Sequence, residues 1–180
     1  MALRGTFHRV AGKFIQLPRI KHLEFKTGRR VGRYHTPQLR RTRVTGTKPT
    51  RADVARLRKE FYASDGPRDK FLAQVRAKAT VTELQALGWT AEEIRIFKAG
   101  GNAPEGFAVH HRIPLQGGGT NNPDNFILIK NDPDHDLITA SQNAVLQRIP
   151  EGAPMNVDVP VMPPGLWTWP QPGTHAYRER

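Results

Sequence analysis

The pattern of apolar and polar positions divides the chain into stretches of different character. Between residues 50 and 100, apolar residues recur at helical spacing, and each run is bounded by residues that cap or stop helices. Between residues 105 and 130, two short apolar runs flank a Gly-rich segment, which predicts two strands joined by a loop. Before residue 50 apolar and basic residues are mixed, and after residue 150 prolines are frequent, which predicts a basic arm and an extended tail.

Four helices are predicted between residues 50 and 100. Thr50 with Asp53, and Thr90 with Glu93, have the spacing of a capping box, in which the two side chains bond to each other's backbone N–H groups. The other two helices are expected from about Arg68 to Lys78 and from near Thr82 to Gly88, while the fourth stops at Gly100-Gly101. Their apolar positions predict a core that includes Val54, Leu57, Phe61, Phe71, Leu72, Val75, Ile94, Ile96 and Phe97.

The stretch that follows predicts the order strand, loop, strand, helix. Phe107 to His111 forms the first strand, which ends or bulges before Pro114 because proline cannot donate to a strand ladder. Phe126 to Ile129 forms the second strand, and Asp132 as N-cap with Pro133 at the first helical position predicts a helix to about Gln147. The predicted class is α+β. We expect a basic arm at 1–49, a domain at 50–149 and a Pro-rich tail at 150–180, in which Trp167 and Trp169 would be anchors. The domain would consist of a helical platform at 50–100 and a strand-helix part at 105–148.

Charge is distributed unevenly along the chain. Residues 1–50 contain 13 Lys and Arg and one acid, Glu24, whereas the remaining residues contain 15 bases and 15 acids, so the net charge of +12 belongs to the arm. Phosphate backbones are the commonest partner of such a segment, which makes Arg40, Arg41 and Arg43 candidate nucleic-acid contacts. A solubilising or translocated arm is the alternative. Thr47-Lys48-Pro49 is predicted to be a linker.

Several classes are disfavoured by composition. The chain has no cysteine, which excludes disulfides and thiolate zinc sites, so a metal would bind His, carboxylate, amide or hydroxyl groups. No apolar run is long enough to span a membrane. The N-terminus lacks the apolar region of a secretory signal; its Arg-rich, acid-poor composition leaves a mitochondrial transit peptide as an alternative.

Three histidines lie close together in the strand-helix part. Such a cluster suits the hydrolysis of a phosphodiester, which requires an activated water and stabilisation of the charge on the leaving oxygen. A neutral His can activate the water, and a divalent metal bound by His can stabilise the charge. Consecutive strand residues point to opposite faces, but at a strand end beside a bulge His110 and His111 can face one cleft, one binding a metal and the other free as base. His135 would be the third helical residue, within reach of His110. Thr139 and Asn143 follow on the same helix face, and either could add a ligand.

The segment HHRIPLQGGGTNNPDNFILIKNDPDHDLIT resembles the HNH, or ββα-metal, endonuclease motif. His110-His111, the glycines 117–119, Asn125 and His135 match its positions in order. The double His and the lack of cysteine resemble the DNase domains of colicin- and pyocin-type bacteriocins. The amino-acid sequence of the segment resembles even more closely the HNH toxin domains of bacterial polymorphic-toxin and type VI secretion effectors. The resemblance covers roughly 40 of the 180 residues.

This resemblance implies roles for individual residues. His111 would be the general base, His110 and His135 would bind one divalent metal ion, and Asn125 would tie down the loop and hold the His111 ring. Colicin-type motifs have a further His where this chain has Thr139, so the third ligand is Thr139 or water. Mg²⁺, Zn²⁺, Ni²⁺ and Mn²⁺ all suit this donor set. Arg112, beside the His pair, would contact a phosphate or stay solvated.

The resemblance also implies a biological role. It predicts a sequence-nonspecific DNase acting as an antibacterial toxin, cytoplasmic in the producer, exported by type VI secretion and active in the cytoplasm of the target bacterium. An acidic immunity protein would neutralise it, and the arm would contact DNA, a secretion apparatus or an adaptor. The alternatives are a phage, homing or restriction endonuclease with defined targets, and a basic nucleic-acid-binding protein with a degenerate site. The residues leave DNA and RNA equally open as substrates.

Overall fold

The computed structural model describes residues 7–10, 13–16, 39–162 and 165, which form helices and short antiparallel strand pairs. The strands are β1 (Phe7–Val10), β2 (Lys13–Gln16), β3 (Arg40–Thr47), β4 (Phe107–His111), β5 (Phe126–Lys130) and β6 (Pro154–Val161). The helices are α1 (Arg51–Phe61), α2 (Pro67–Lys78), α3 (Val81–Ala86), α4 (Ala91–Lys98) and α5 (Asp136–Leu146). Among these strands β1 pairs with β2, β3 with β6 and β4 with β5. The class is therefore α+β, as predicted.

Side-chain caps determine where three of the helices begin. The predicted capping boxes of Thr50 with Asp53 and of Thr90 with Glu93 are both present, at the starts of α1 and α4. A third, at Thr80 with Glu83, was not predicted. It places the start of α3 at Val81 rather than near Thr82, because the Thr80 hydroxyl accepts the backbone N–H of Glu83.

Helices α1 to α4 pack around one apolar core. Phe71, Leu72, Val75 and Phe97 are almost fully buried in it, as their spacing predicted. Ile96 is 47% exposed, so its predicted place in the core was wrong. Ile94 and Phe97, three residues apart, share the inner face of α4, and Ile96 lies outside that face.

Strand β5 lies between two apolar clusters. Phe126 and Leu128 pack into the helical core, whereas Ile127 and Ile129 pack with Ile138 of α5 and with Met162. Successive strand residues point to opposite faces, so one strand can serve both clusters. This position of β5 also holds its partner β4 between the helical core and α5.

The arm and the tail contribute one strand each to a single antiparallel pair. Strand β3, from the predicted arm, pairs along its whole length with β6, from the predicted tail. Val44 of β3 and several valines of β6 form a buried cluster with Val145 and Leu146 of α5. The predicted linker at residues 47–49 is packed as well, because the buried Lys48 donates from Nζ to the Leu146 carbonyl at 2.7 Å. The predicted boundaries near 49 and 150 thus separate strands that pack together.

The connection between β5 and α5 differs from the predicted one. A single π-helical turn, Asn131–His135, follows β5 directly, and the α-helix begins only at Asp136 and ends at Leu146. His135 therefore closes the π-helical turn and is not the third residue of an α-helix that starts at Pro133. Such turns are uncommon and often occur at functional sites, because they shift side chains relative to a regular helix.

Within the described residues, no helix is long and apolar enough to cross a membrane. The described elements also include the pair of β1 and β2, which was not predicted. Trp167 and Trp169, predicted as anchors of the tail, lie outside the described residues.

Candidate active site

A cleft of about 370 Å³ lies where α1, the end of β4 and α5 meet. Among the described residues, its lining consists of apolar, amide, hydroxyl, imidazole and guanidinium side chains and includes no carboxylate. The polar residues that line it are Arg58, Tyr62, His110, His111, Gln116, His135, Thr139, Gln142, Asn143 and Gln147. All three histidines predicted as site residues are therefore brought to one cavity, together with Thr139.

The two adjacent histidines reach the cleft from opposite faces of β4. The register pairs His110 with Ile127 and His111 with Phe126, and the ladder is regular to the end of the strand. The strand was predicted to end or bulge before Pro114; it ends at His111, and this described pair has no bulge. His111 shares the face of Phe126 toward α1, and His110 shares the face of Ile127 toward α5. The cleft extends around the end of the strand and so receives both rings.

His110 is buried and has one ring nitrogen without a partner. The side chain is only 8% exposed, and Nε2 has no hydrogen-bond partner among the described residues. Its ring centroid lies 5.1 Å from that of His135, with the two rings nearly perpendicular at 89°. An unpartnered buried nitrogen is costly unless something binds it, so Nε2 marks a place for a ligand.

Gln142 determines which nitrogen of His110 carries the proton. Its side-chain nitrogen donates to the carbonyls of Arg112, at 2.8 Å, and Pro160, at 3.1 Å. Its oxygen is thus directed to the His110 ring, to which Gln142 is hydrogen-bonded. Since Nε2 is the unpartnered nitrogen, Nδ1 donates to Gln142 and Nε2 keeps its lone pair.

The surroundings of His110 keep the imidazole neutral. Burial, and after it the nearby His135 and His111, together lower the pKa of His110 to about 3, although the hydrogen bond to Gln142 acts in the opposite direction. A neutral imidazole with a free lone pair is the form that binds metal ions.

Two further donors stand near His110. The His135 side chain is 37% exposed, and its Nδ1 lies 3.7 Å from a carboxylate oxygen of Asp136. One turn along α5, the hydroxyl oxygen of Thr139 is buried without a hydrogen-bond partner among the described residues. Asn143, the other candidate on this face, accepts a short hydrogen bond from Gln116. Within the described residues no group of three or more His, Asp or Glu side chains is arranged to hold a metal.

His111 is held by Asn121, which sequence reasoning did not identify. Its Nε2 lies 2.9 Å from the Asn121 side-chain oxygen. The amide of Asn121 has a fixed orientation because its nitrogen donates to the carbonyl of Leu57 in α1, at 2.8 Å. A carbonyl can only accept, so the oxygen must face the ring and Nε2 must carry the proton. The proton-accepting nitrogen of His111 is therefore Nδ1.

Aromatic rings enclose much of His111. Its ring centroid lies 4.6 Å from that of Phe61 and 4.9 Å from that of Phe126. The resulting burial lowers the pKa of His111, and the charge of Arg58 lowers it as well, while the hydrogen bond to Asn121 raises it. Because its pKa is lowered, the ring is neutral at neutral pH. Because it lines the cleft, the ring is accessible from one side.

Asn125 ties down the loop, but it does not hold the His111 ring. Its side-chain oxygen accepts the backbone N–H of Ile113 at 2.8 Å, and its nitrogen donates to the carbonyls of Ile113 and Thr120. The predicted contact with His111 was wrong; Asn121 makes it, because Asn125 uses its amide to close the loop on itself.

The loop geometry also explains the glycines. Gly118 has a φ of +80°, in the left-handed region that favours glycine. A Cβ on Gly119 would lie 1.8 Å from the Ile113 carbonyl oxygen, so no side chain fits there.

The predicted nucleic-acid contacts have different surroundings. Arg112 donates to the carbonyls of Met162 and Asp124, so its guanidinium fastens the end of β6 and the loop. Arg43 is paired with Asp158 at 2.6 Å. Arg40 and Arg41 are exposed on β3. None of the four lines the cleft.

Sequence reasoning also missed two residues at the edge of the cleft, Arg58 of α1 and Tyr62, which follows the last residue of α1. Both are exposed and both line the cleft. Helical spacing could have found them, because they lie four and eight residues after Val54, which was assigned to the inner face. Asn121 and Gln142 had no comparable signal, because amide side chains are common in loops and on helix surfaces.

Comparison with known proteins gives little further information. No family model and no solved structure matches the chain. Over 97 residues, 54% of the chain, it is 35% identical to a protein of Escherichia coli strain K12 described as "Uncharacterized protein YhhZ". The matched segment spans 23% of that protein's length.

Proposed function

We propose that the chain is a metal-dependent endonuclease of the ββα-metal, or HNH, class that hydrolyses phosphodiester bonds of DNA. One observation carries the proposal. The buried His110, whose Nε2 has no hydrogen-bond partner among the described residues, lines a cleft beside His135, and the neutral His111 with a fixed tautomer lines the same cleft. The order of elements, β4, a Gly-containing loop, β5 and α5, is the order that the motif requires.

The donors near His110 fit one divalent ion. His110 Nε2 and an imidazole nitrogen of His135 would bind it, and the unpartnered Thr139 hydroxyl would serve as a further, weaker donor. Two imidazoles and a hydroxyl leave the remaining positions to water and substrate, as is usual for a catalytic site. When bound, the ion would supply positive charge to the phosphoryl and leaving oxygens. Gln142 fixes the His110 ring in the tautomer that binds.

His111, which lies on the other face of β4 and is held by Asn121, would accept the proton of the attacking water. The ring accepts this proton at Nδ1, while the Nε2–H continues to donate to the Asn121 side-chain oxygen. Burial lowers the pKa of His111, which keeps the ring unprotonated near neutral pH. Asn125 and the loop glycines hold the backbone after His111 in place, so the ring and the metal ligands keep their separation.

The role as an antibacterial toxin is part of the same proposal. It is supported by the resemblance of residues 110–139 to toxin nuclease domains and by the concentration of net charge in residues 1–50. An acidic immunity protein would cover the cleft, since the described residues that line it include Arg58 and no carboxylate. Type VI export and action in the cytoplasm of a target bacterium belong to this proposal, with the basic arm contacting DNA or the secretion machinery.

Purified protein with supercoiled plasmid and with RNA, each with a divalent metal or with EDTA, tests the enzyme proposal. We expect plasmid degradation that EDTA abolishes. His111→Ala should reduce the rate at least about 100-fold, because the proton acceptor is lost. The matched control is His175→Ala, which changes a histidine outside the motif and should cut at the wild-type rate.

Other outcomes would favour the alternatives. Discrete cut sites in place of a smear would indicate an endonuclease with defined targets. Undegraded DNA and RNA with every metal, together with salt-sensitive binding that is unaffected by changing His110, His111 and His135, would refute the enzyme and indicate a binding protein. Co-expression with a neighbouring acidic protein that restores growth would test the toxin role.

A further inference from the structure

Arg58 of α1 and Tyr62, the residue that follows α1, form an exposed rim of the cleft. The backbone N–H of Tyr62 donates to the Arg58 carbonyl one turn earlier, which places both residues on one side of the end of the helix. Tyr62 is 67% exposed, more than the other exposed large hydrophobic residues of the described chain, Val81 at 52% and Ile96 at 47%. Unlike those two residues, Tyr62 lines the cleft.

Arg58 carries a charge that no described acid neutralises. The other arginines of α1 are paired: Arg51 with Glu151 at 2.8 Å, and Arg56 with Glu60 at 2.8 Å. Arg58 makes no ion pair or side-chain hydrogen bond with the described residues. Arg58 and His111, the proposed base, line the same cleft, and the charge of Arg58 lowers the pKa of His111. A cationic side chain in a cleft whose described lining has no carboxylate suits an anion such as a phosphate.

The Tyr62 ring is supported from one side and open on the other. Its centroid lies 4.9 Å from that of Phe61 in an edge-to-face contact of 78°. Phe61 is buried and also contacts His111, at 4.6 Å between centroids. One side chain therefore separates Tyr62 from the proposed base. Because Phe61 orders the ring, stacking a ligand on its open surface costs little conformational entropy.

We infer that Arg58 and Tyr62 bind one nucleotide next to the cleavage point, with Arg58 on a phosphate and Tyr62 stacked on the base. In a duplex each base is already stacked between its neighbours, so a base can lie on Tyr62 only where the strand is unpaired. The preferred substrate is therefore single-stranded nucleic acid. This inference rests on the proposed nuclease function for its account of cleavage, and adds a substrate class to it.

Cleavage of one labelled oligonucleotide, single-stranded and annealed to its complement, tests the inference. We expect kcat/KM to be about 10-fold higher for the single strand. Tyr62→Ala should remove that preference, and Tyr62→Trp should keep it, because tryptophan also stacks. Arg58→Ala should lower kcat/KM on both substrates. The control, Ile96→Ala, changes an exposed hydrophobic residue outside the cleft and should change neither rate.

Binding measured by fluorescence anisotropy separates this inference from the nuclease proposal. In the His111→Ala background, Tyr62→Ala should weaken single-strand binding about 10-fold. If the wild-type chain cuts but Tyr62→Ala retains the same single-strand preference, the inferred role of the rim in binding an unpaired nucleotide is refuted and the nuclease proposal stands. If nothing is cut but binding to the single strand still depends on Tyr62, the nuclease proposal fails and the rim remains a nucleic-acid site.

Discussion

The two central histidines depend on amide side chains that no motif identifies. Asn121 and Gln142 each direct a nitrogen to main-chain carbonyls and present an oxygen to an imidazole ring. Main-chain carbonyls cannot donate, so this arrangement settles both tautomers without any charged group. One ring is left with a free lone pair at Nε2 and the other at Nδ1, and this difference underlies their proposed roles as metal ligand and base.

Changing Asn121 should affect the rate more than the fold. We expect Asn121→Ala to lower kcat for plasmid cleavage about 10- to 100-fold with little change in KM, because the His111 ring loses its proton acceptor at Nε2. Asn121→Asp keeps an oxygen toward the ring and should be more active than Asn121→Ala, even though it loses the bond to Leu57. Equal rates for the two variants, or a wild-type rate for Asn121→Ala, would contradict this role. Asn102→Ala, on the exposed surface, is the control.

At the level of elements, local sequence determined the helices and strands better than their connections. The capping boxes at Thr50 and Thr90 and the strand Phe107–His111 were predicted correctly, because hydrogen bonds and periodicity within a few residues determine them. The π-helical turn before α5 was not predicted. Asp132 and Pro133 resemble an ordinary helix start, whereas the π-helical turn begins at Asn131, whose N–H donates to the carbonyl of the distant Gly106.

The loop between β4 and β5 should tolerate change at one glycine and not at the next. Gly119→Ala places a methyl group against the Ile113 carbonyl, which Asn125 also binds, so we expect a loss of roughly 1–3 kcal/mol in the free energy of unfolding. Gly118→Asn should cost much less, because Gly118 is exposed and asparagine tolerates its left-handed φ. Urea unfolding of the two variants measures the difference, and equal stabilities would rule out the close contact.

For the whole molecule, burial of the site histidines should link stability to pH. The folded pKa of His110 is about 3, below its ordinary value of 6.5, so between these values the unfolded chain binds a proton that the folded chain does not. Stability is therefore complete above pH 6.5 and falls as the pH decreases toward 3. His111, whose pKa is also lowered, acts in the same direction.

Urea unfolding in EDTA at two pH values tests this linkage. Between pH 7 and pH 5 we expect His110 to account for a loss of roughly 2 kcal/mol in the free energy of unfolding. Carboxylates contribute little in this range, because their ordinary pKa values lie below it. In His110→Asn the loss should be smaller by about that amount. The same loss in both proteins would show that His110 is not buried in its neutral form.

The sequence alone determined the features that depend on near neighbours: the α+β class, most helix and strand positions, and the set of histidines that reaches the cleft. Tertiary structure decided which residues from distant parts of the chain bond to one another and which of them hold the histidines. Arg43 pairs with Asp158 across 115 positions of sequence, Asn121 connects His111 to Leu57, and Gln142 connects His110 to Arg112 and Pro160. Periodicity and motif spacing give information only about residues that are near one another in the sequence. A hydrogen bond between distant segments becomes visible only when the packing of the apolar clusters has brought those segments together.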